Sequence, residues 1–219
     1  MVYYYPETDG KVFLVEREGC FDFPRSSEEL PFSVNPLQKM DIHGTEVIYC
    51  IPELPAHPDH WVNKEDVPYM ENVDAKVREA VSSTFPRPVV EAIVEREERI
   101  LLVKPDRGYN EGQWTLPGGF LVYGESPKEA VRREVEEEIG VELQIGGLLN
   151  LHSHIGDQNN YHWLLFFYGA SIPGDAPQLS PQHEIEELKW FPREVSPEKI
   201  SSPLMAHGLR EIVEGRANP

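Results

Sequence analysis

Three carboxylates, Glu134, Glu137 and Glu138, fall within five positions of one another. At about 100° per residue, positions three and four apart share one helix face, so in a helix these side chains stand together. Like charges at those spacings repel unless something positive sits among them. Arg133 compensates in part, and a hard divalent cation compensates better, because Mg²⁺ and Mn²⁺ prefer carboxylate oxygen and water as ligands. By spacing alone the run also fits a solvated acidic face, the commoner meaning of such a charge pattern.

The element that must hold these carboxylates carries its own boundary signals. Ser126 is suited to cap a helix, Pro127 fits its first position, and Glu129 stands where a capping box needs an acid. Gly140 follows the last apolar residue, where a helix C-terminus takes glycine. Val131, Val135 and Ile139 form a single apolar stripe between those limits. The chain thus predicts a helix from Pro127 to Ile139 with one buried side.

Around that helix the sequence predicts strands. Val89–Val94 and Arg99–Val103 read as a hairpin, Gly147–His152 and Trp163–Gly169 as later strands, and Glu187–Phe191 as a short one. A closing helix from Pro203 to Glu214 is expected. Residues 1–86 read as a separate small α+β extension with strands at Lys11–Val15 and Glu46–Ile51 and a helix at Asp74–Ser82. The run Tyr3-Tyr4-Tyr5 fits core packing better than base stacking or a subunit interface. Arg87-Pro88 marks the expected boundary, with a second domain over 87–219.

The chain has 219 residues, 40% of them hydrophobic, and a formal net charge of −18. That length accommodates one large domain, or an ordinary domain with a substantial addition. The acidity argues against general binding to nucleic acid or to an anionic membrane surface. It does not exclude a phosphate substrate, because bound cations invert the local field. Cys20 and Cys50 are too few for a disulfide scaffold and lack zinc-ribbon spacing. No apolar stretch reads as a signal peptide or reaches transmembrane length, so a cytoplasmic location is the expectation.

Gly119, five residues, Glu125, seven residues, then Arg133-Glu134-Val135-x-Glu137-Glu138-x-Gly140-Val141 resembles the Nudix box at every defined position. The resemblance implies an α/β/α sandwich with a mixed sheet, the box forming a loop–helix–loop. It also implies hydrolysis, dependent on Mg²⁺ or Mn²⁺, of a nucleoside diphosphate linked to another group. Gly119, Glu134, Glu137 and Glu138 match the family's metal ligands, the glycine through its carbonyl. Arg133 is expected to pair with a box glutamate and fix its rotamer, and Glu125 to be its partner or a water-mediated ligand. For the general base the candidates are Glu137, Glu138 and, in the loop before Trp190, Glu184.

Tyr109, Trp114, Phe120, Tyr123 and Tyr161 lie on segments near the implied pocket and can stack on a base, although each also fits plain packing. Arg107 and Lys104 are possible phosphate contacts. His152, His154 and His162 read as phosphate contacts or as satisfied histidines. Subfamily marks fail: the cysteines and the proline-rich signature of NADH pyrophosphatases are missing, and so is the proline placement of ADP-ribose pyrophosphatases. The alternative to an enzyme is a non-catalytic nucleotide sensor, but sensors usually have eroded box carboxylates and this box is intact. Isomerase chemistry on an isoprenoid diphosphate would need metal-binding cysteines and histidines that the sequence does not supply. The family resemblance further implies a homodimer.

Overall fold

The computed structural model describes residues 2–156, 160–174 and 179–215. The chain forms two compact units. One comprises Met1–Pro86 together with Ile155–His162, the other Arg87–His154 together with Trp163–Pro219.

The first unit contains β1 (Val2–Thr8), β2 (Lys11–Val12), β3 (Val15–Arg17), β4 (Cys20–Asp22), β5 (Ser33–Ile42), β6 (Thr45–Glu53), β7 (Val62–Asn63) and α1 (Ala75–Thr84). Five strands pair in the order β5-β6-β1-β2-β7, and β3 and β4 form a separate hairpin. Tyr5 is fully buried, its ring 4.9 Å from Phe23 and 5.2 Å from Tyr49. The tyrosine run thus supplies a core strand. The strand expected at Lys11–Val15 breaks after Val12, where Phe13 packs against Phe32 and Trp61. Pro36 lies in β5, a strand the sequence reading missed. It is tolerated because β5 is an edge strand and its register with β6 shifts between Pro36 and Gln38. Asp74 caps α1 by accepting from the Lys76 N–H at 3.0 Å. Asn160 donates to the Asp41 carbonyl at 2.9 Å within this unit.

The second unit contains β8 (Arg87–Arg96), β9 (Arg99–Pro105), β10 (Gly118–Phe120), α2 (Pro127–Ile139), β13 (Ile185–Pro192), α3 (Ser196–Lys199) and α4 (Pro203–Val213), with β11 (Gln144–Ile155) and β12 (His162–Ser171) except for the end residues Ile155 and His162, which fall in the first. The sheet runs β11-β12-β8-β9-β13, with β10 added against β8. It is mixed: β12 pairs parallel to β8, while β9 and β10 pair antiparallel to it.

Strand side chains alternate between faces, and here both faces are covered. Val90, Ala92, Val94, Leu101 and Val103 pack with Ala130, Val131, Val135 and Ile139 of α2. Ile93, Ile100, Leu102 and Phe167 pack with Met205, Ala206, Leu209 and Ile212 of α4. Each large side chain so buried contributes about 1.5–3 kcal/mol relative to exposure. The architecture is a helix–sheet–helix sandwich, and α2 is held along its apolar stripe. Among the described residues, no helix is long and apolar enough to cross a membrane.

Candidate active site

Both ends of α2 are tied. The Ser126 side chain accepts from the Glu129 N–H, and the Glu129 carboxylate accepts from the Ser126 N–H at 2.9 Å, closing the capping box. Gly140 ends the helix at φ 71°, a conformation that costs glycine nothing. With its rotation set by the buried stripe, α2 turns Glu134 and Glu138 toward the strand that precedes the helix. Glu138 Oε2 accepts from the Gly118 N–H at 3.0 Å. At Gly119 a Cβ would fall 2.6 Å from the Glu134 carboxyl carbon and Oε1, so only glycine lets the backbone lie this close to that carboxylate.

Arg133 ties the carboxylates together. Its Nε and Nη2 donate to Glu125 at 2.9 and 3.0 Å, and Nη2 also donates to the Phe120 carbonyl at 3.1 Å. Its Nη1 lies 2.9 Å from Glu134 and 3.5 Å from Glu137, which is exposed. The Glu125 carboxyl is held below its usual range, first by the hydrogen bond from Arg133. Glu134 is shifted up by burial, against the pull of Arg133. Glu138 is pushed well above the carboxylate range by burial and by Glu134, Glu184 and Glu137, against the hydrogen bond from Gly118.

One member of this cluster is not among the residues the sequence singled out. Glu91 lies on β8 opposite Gly118 and is 2% exposed. Its Oε2 is buried with no hydrogen-bond partner among the described residues. Burial, then Glu138 and Glu134, push its carboxyl well above the ordinary value. A legible signal existed: Glu91 is the charged residue inside the apolar run Val89-Val-Glu-Ala-Ile-Val94, where a strand covered on both faces should be apolar throughout.

Three carboxylates beside a glycine backbone, Glu91, Glu134 and Glu138, one of them buried with an orphaned oxygen, make an all-oxygen donor set. Burying several acids together is unfavourable unless they are protonated or share a cation. The set fits a hard divalent ion such as Mg²⁺ or Mn²⁺.

The remaining candidates divide. Arg107 and Glu184 form an ion pair with each other, and that pair lowers the Glu184 carboxyl. Phe120 (57% exposed) lies 6.0 Å from Trp163, and Tyr109 (83% exposed) 6.4 Å from the same ring. Trp163, read from sequence only as a strand residue, therefore joins two candidate stacking rings into one aromatic patch. Trp114 packs edge-on against Phe191, 5.1 Å between ring centres, at the margin of the α4-side core. Tyr161 and His162 belong to the first unit. Tyr123 is fully exposed, and Lys104 pairs with Glu186 at 3.2 Å.

The sequence profile of the NUDIX domain matches residues 85–213. The 8-oxo-dGDP phosphatase NUDT18 of Homo sapiens is 29% identical over 128 residues, 58% of this chain and 37% of that protein. An ADP-ribose pyrophosphatase of Methanocaldococcus jannaschii is 40% identical over 106 residues, 48% of this chain and 62% of that protein. This chain therefore matches less than two thirds of the length of either relative. The E. coli ORF135 protein, solved in solution, is similar at a TM-score of 0.51 and 26% identity, over 62% of this chain and 94% of that one. The profile covers more than half of the chain and takes in the sheet, the capped helix and its carboxylates: the chain belongs to the NUDIX domain family.

Proposed function

We propose that this chain is a pyrophosphohydrolase that uses Mg²⁺ or Mn²⁺ to cleave a nucleoside diphosphate linked to another group. The observation that carries this reading is the carboxylate cluster at Gly118 and Gly119, formed by Glu134, Glu138 and the buried Glu91, whose Oε2 has no hydrogen-bond partner among the described residues. The names of the relatives, an 8-oxo-dGDP phosphatase and an ADP-ribose pyrophosphatase, support the same substrate class.

Gly119 through its carbonyl, Glu134, Glu137 and Glu138 would hold the ion. Bound there, it would neutralise the diphosphate, polarise phosphorus and make water more acidic. Water adds to one phosphorus, the bridging P–O bond breaks, and a carboxylate takes the proton of the water. Glu137, Glu138 and Glu184 are the candidates for that base. Arg133 would act by keeping Glu134 and Glu125 in place rather than by touching substrate. The patch of Tyr109, Phe120 and Trp163 offers a nucleobase stacking surface, and Arg107 a phosphate contact once it leaves Glu184. Trp114 is kept as a secondary candidate for substrate contact. The working form is proposed to be a homodimer, which light scattering at micromolar concentration tests directly.

The deciding experiment is product release from a panel of ADP-ribose, NADH, 8-oxo-dGDP, diadenosine polyphosphates and nucleotide sugars, with Mg²⁺ or Mn²⁺. A Glu137→Gln variant runs beside the parent. Turnover of one class, abolished in the variant, is expected. Tight nucleotide binding without turnover of any compound would replace the enzyme with a nucleotide sensor.

A further inference from the structure

A second set of metal-ligating side chains lies away from the carboxylate cluster, where β11 meets α4. His207 and Glu211 are four residues apart on α4 and so share one face of that helix. His152 comes from β11, and the donor atoms of the three residues all lie within 4.8 Å of one another. Helix α4 covers the sheet face opposite α2, so this group and the box occupy different sides of the sandwich.

Neither histidine makes a short hydrogen bond to Glu211, and the separations leave room for an ion. His207 Nε2 is 3.5 Å from Glu211 Oε1, and His152 Nδ1 is 3.9 Å from Glu211 Oε2. A good N–H···O bond spans about 2.7–3.2 Å. Ligand atoms on a tetrahedral zinc, with bonds of about 2.0–2.2 Å, stand about 3.4 Å apart. The two imidazole rings lie 5.0 Å apart between centres, tilted by 56°. The surroundings also favour a bound ion. Asn150 is 4% exposed and donates to Glu211 Oε2 at 3.0 Å, the kind of contact that holds a ligating carboxylate in orientation.

We propose that His152, His207 and Glu211 form a site for Zn²⁺ or a similar borderline transition-metal ion, separate from the hard-cation site of the box. Two nitrogens and one carboxylate oxygen leave a fourth position for water. The ion would link α4 to β11 and keep one coordination position open to solvent.

The test uses the full chain carrying Glu137→Gln, which weakens the box as a competing site. It is loaded with Co²⁺ for visible absorption, with Zn²⁺ for calorimetry, and with each ion again in large excess Mg²⁺. One equivalent of Co²⁺ with intense tetrahedral bands, displaced by Zn²⁺ and insensitive to Mg²⁺, is expected. His207→Ala, at an exposed ring that the fold can spare, should weaken Zn²⁺ by at least about tenfold. Glu211→Gln should do the same while leaving circular dichroism unchanged. Failure to bind at micromolar Zn²⁺, or binding unaltered in both variants, would overturn the assignment. Neither result depends on whether the chain hydrolyses a nucleotide.

Discussion

Arg133 grips Glu125 with two nitrogens, Nε at 2.9 Å and Nη2 at 3.0 Å, while its third nitrogen lies 2.9 Å from Glu134. A planar guanidinium holds two carboxylates at a set angle, which a lysine ammonium cannot reproduce. Arg133→Lys and Glu125→Gln should each lower kcat about 10–100-fold while leaving KM nearly unchanged, with a higher Mg²⁺ requirement. Initial rates across a Mg²⁺ series would show it. An effect confined to KM would mean that Arg133 contacts substrate instead.

Gly119 allows the closest backbone approach to Glu134. Gly119→Ala would force the Glu134 carboxylate away from a Cβ set 2.6 Å from it. Activity should fall by at least about tenfold through displaced ligation, with little change in circular dichroism because the strand pairing survives. Retained activity would show that the Glu134 position is not used.

Glu91 links metal binding to stability. In the metal-free protein its buried, unpartnered oxygen is a liability, which a cation would relieve. A ligand at 100 times its Kd stabilises by about 2.7 kcal/mol. Saturating Mg²⁺ should therefore raise the Tm of the parent, and raise that of Glu91→Gln distinctly less. Equal gains in both proteins would remove Glu91 from the cation site.

Trp163 bridges Tyr109 and Phe120. Base–aromatic stacking is worth about 1–3 kcal/mol by alanine substitution, so Trp163→Ala should raise KM roughly tenfold with kcat little altered. Nucleotide should also quench tryptophan fluorescence in the parent and quench it less in the variant.

Cys50 is fully buried, and burial pushes its thiol from 9.0 up to about 12. Ellman's reagent at pH 8 should label no more than one thiol per native chain and two after denaturation, Cys20 being the accessible one. A group whose pKa is raised on folding stabilises fully below its unfolded pKa and loses that contribution as pH rises through the folded one. Stability should therefore decline between about pH 9 and pH 12. Cys50→Ala should decline less steeply over that window in urea titrations, with Tyr49, also raised to about 12, supplying part of the remaining slope.

The box helix was legible in the sequence because its instructions are local. Ser126, Pro127, Glu129 and Gly140 act within one or two turns, and the Val131–Val135–Ile139 stripe specifies which side is buried. Helical spacing alone groups Glu134, Glu137 and Glu138 on that helix, whereas their reading as metal ligands rests on the resemblance to the Nudix box. Strand existence was readable from apolar runs, but β1 and β5 were not, because a tyrosine run and a proline-containing edge gain their meaning from partners far along the chain. Glu91, Trp163 and the His152–His207–Glu211 group share that limit. Glu91 reaches Glu138 only because β8 pairs with β10 at Gly118, and His152 reaches Glu211 only because α4 folds back over β11. Such juxtapositions depend on strand order and helix packing across up to about sixty residues, and only the tertiary structure decides them.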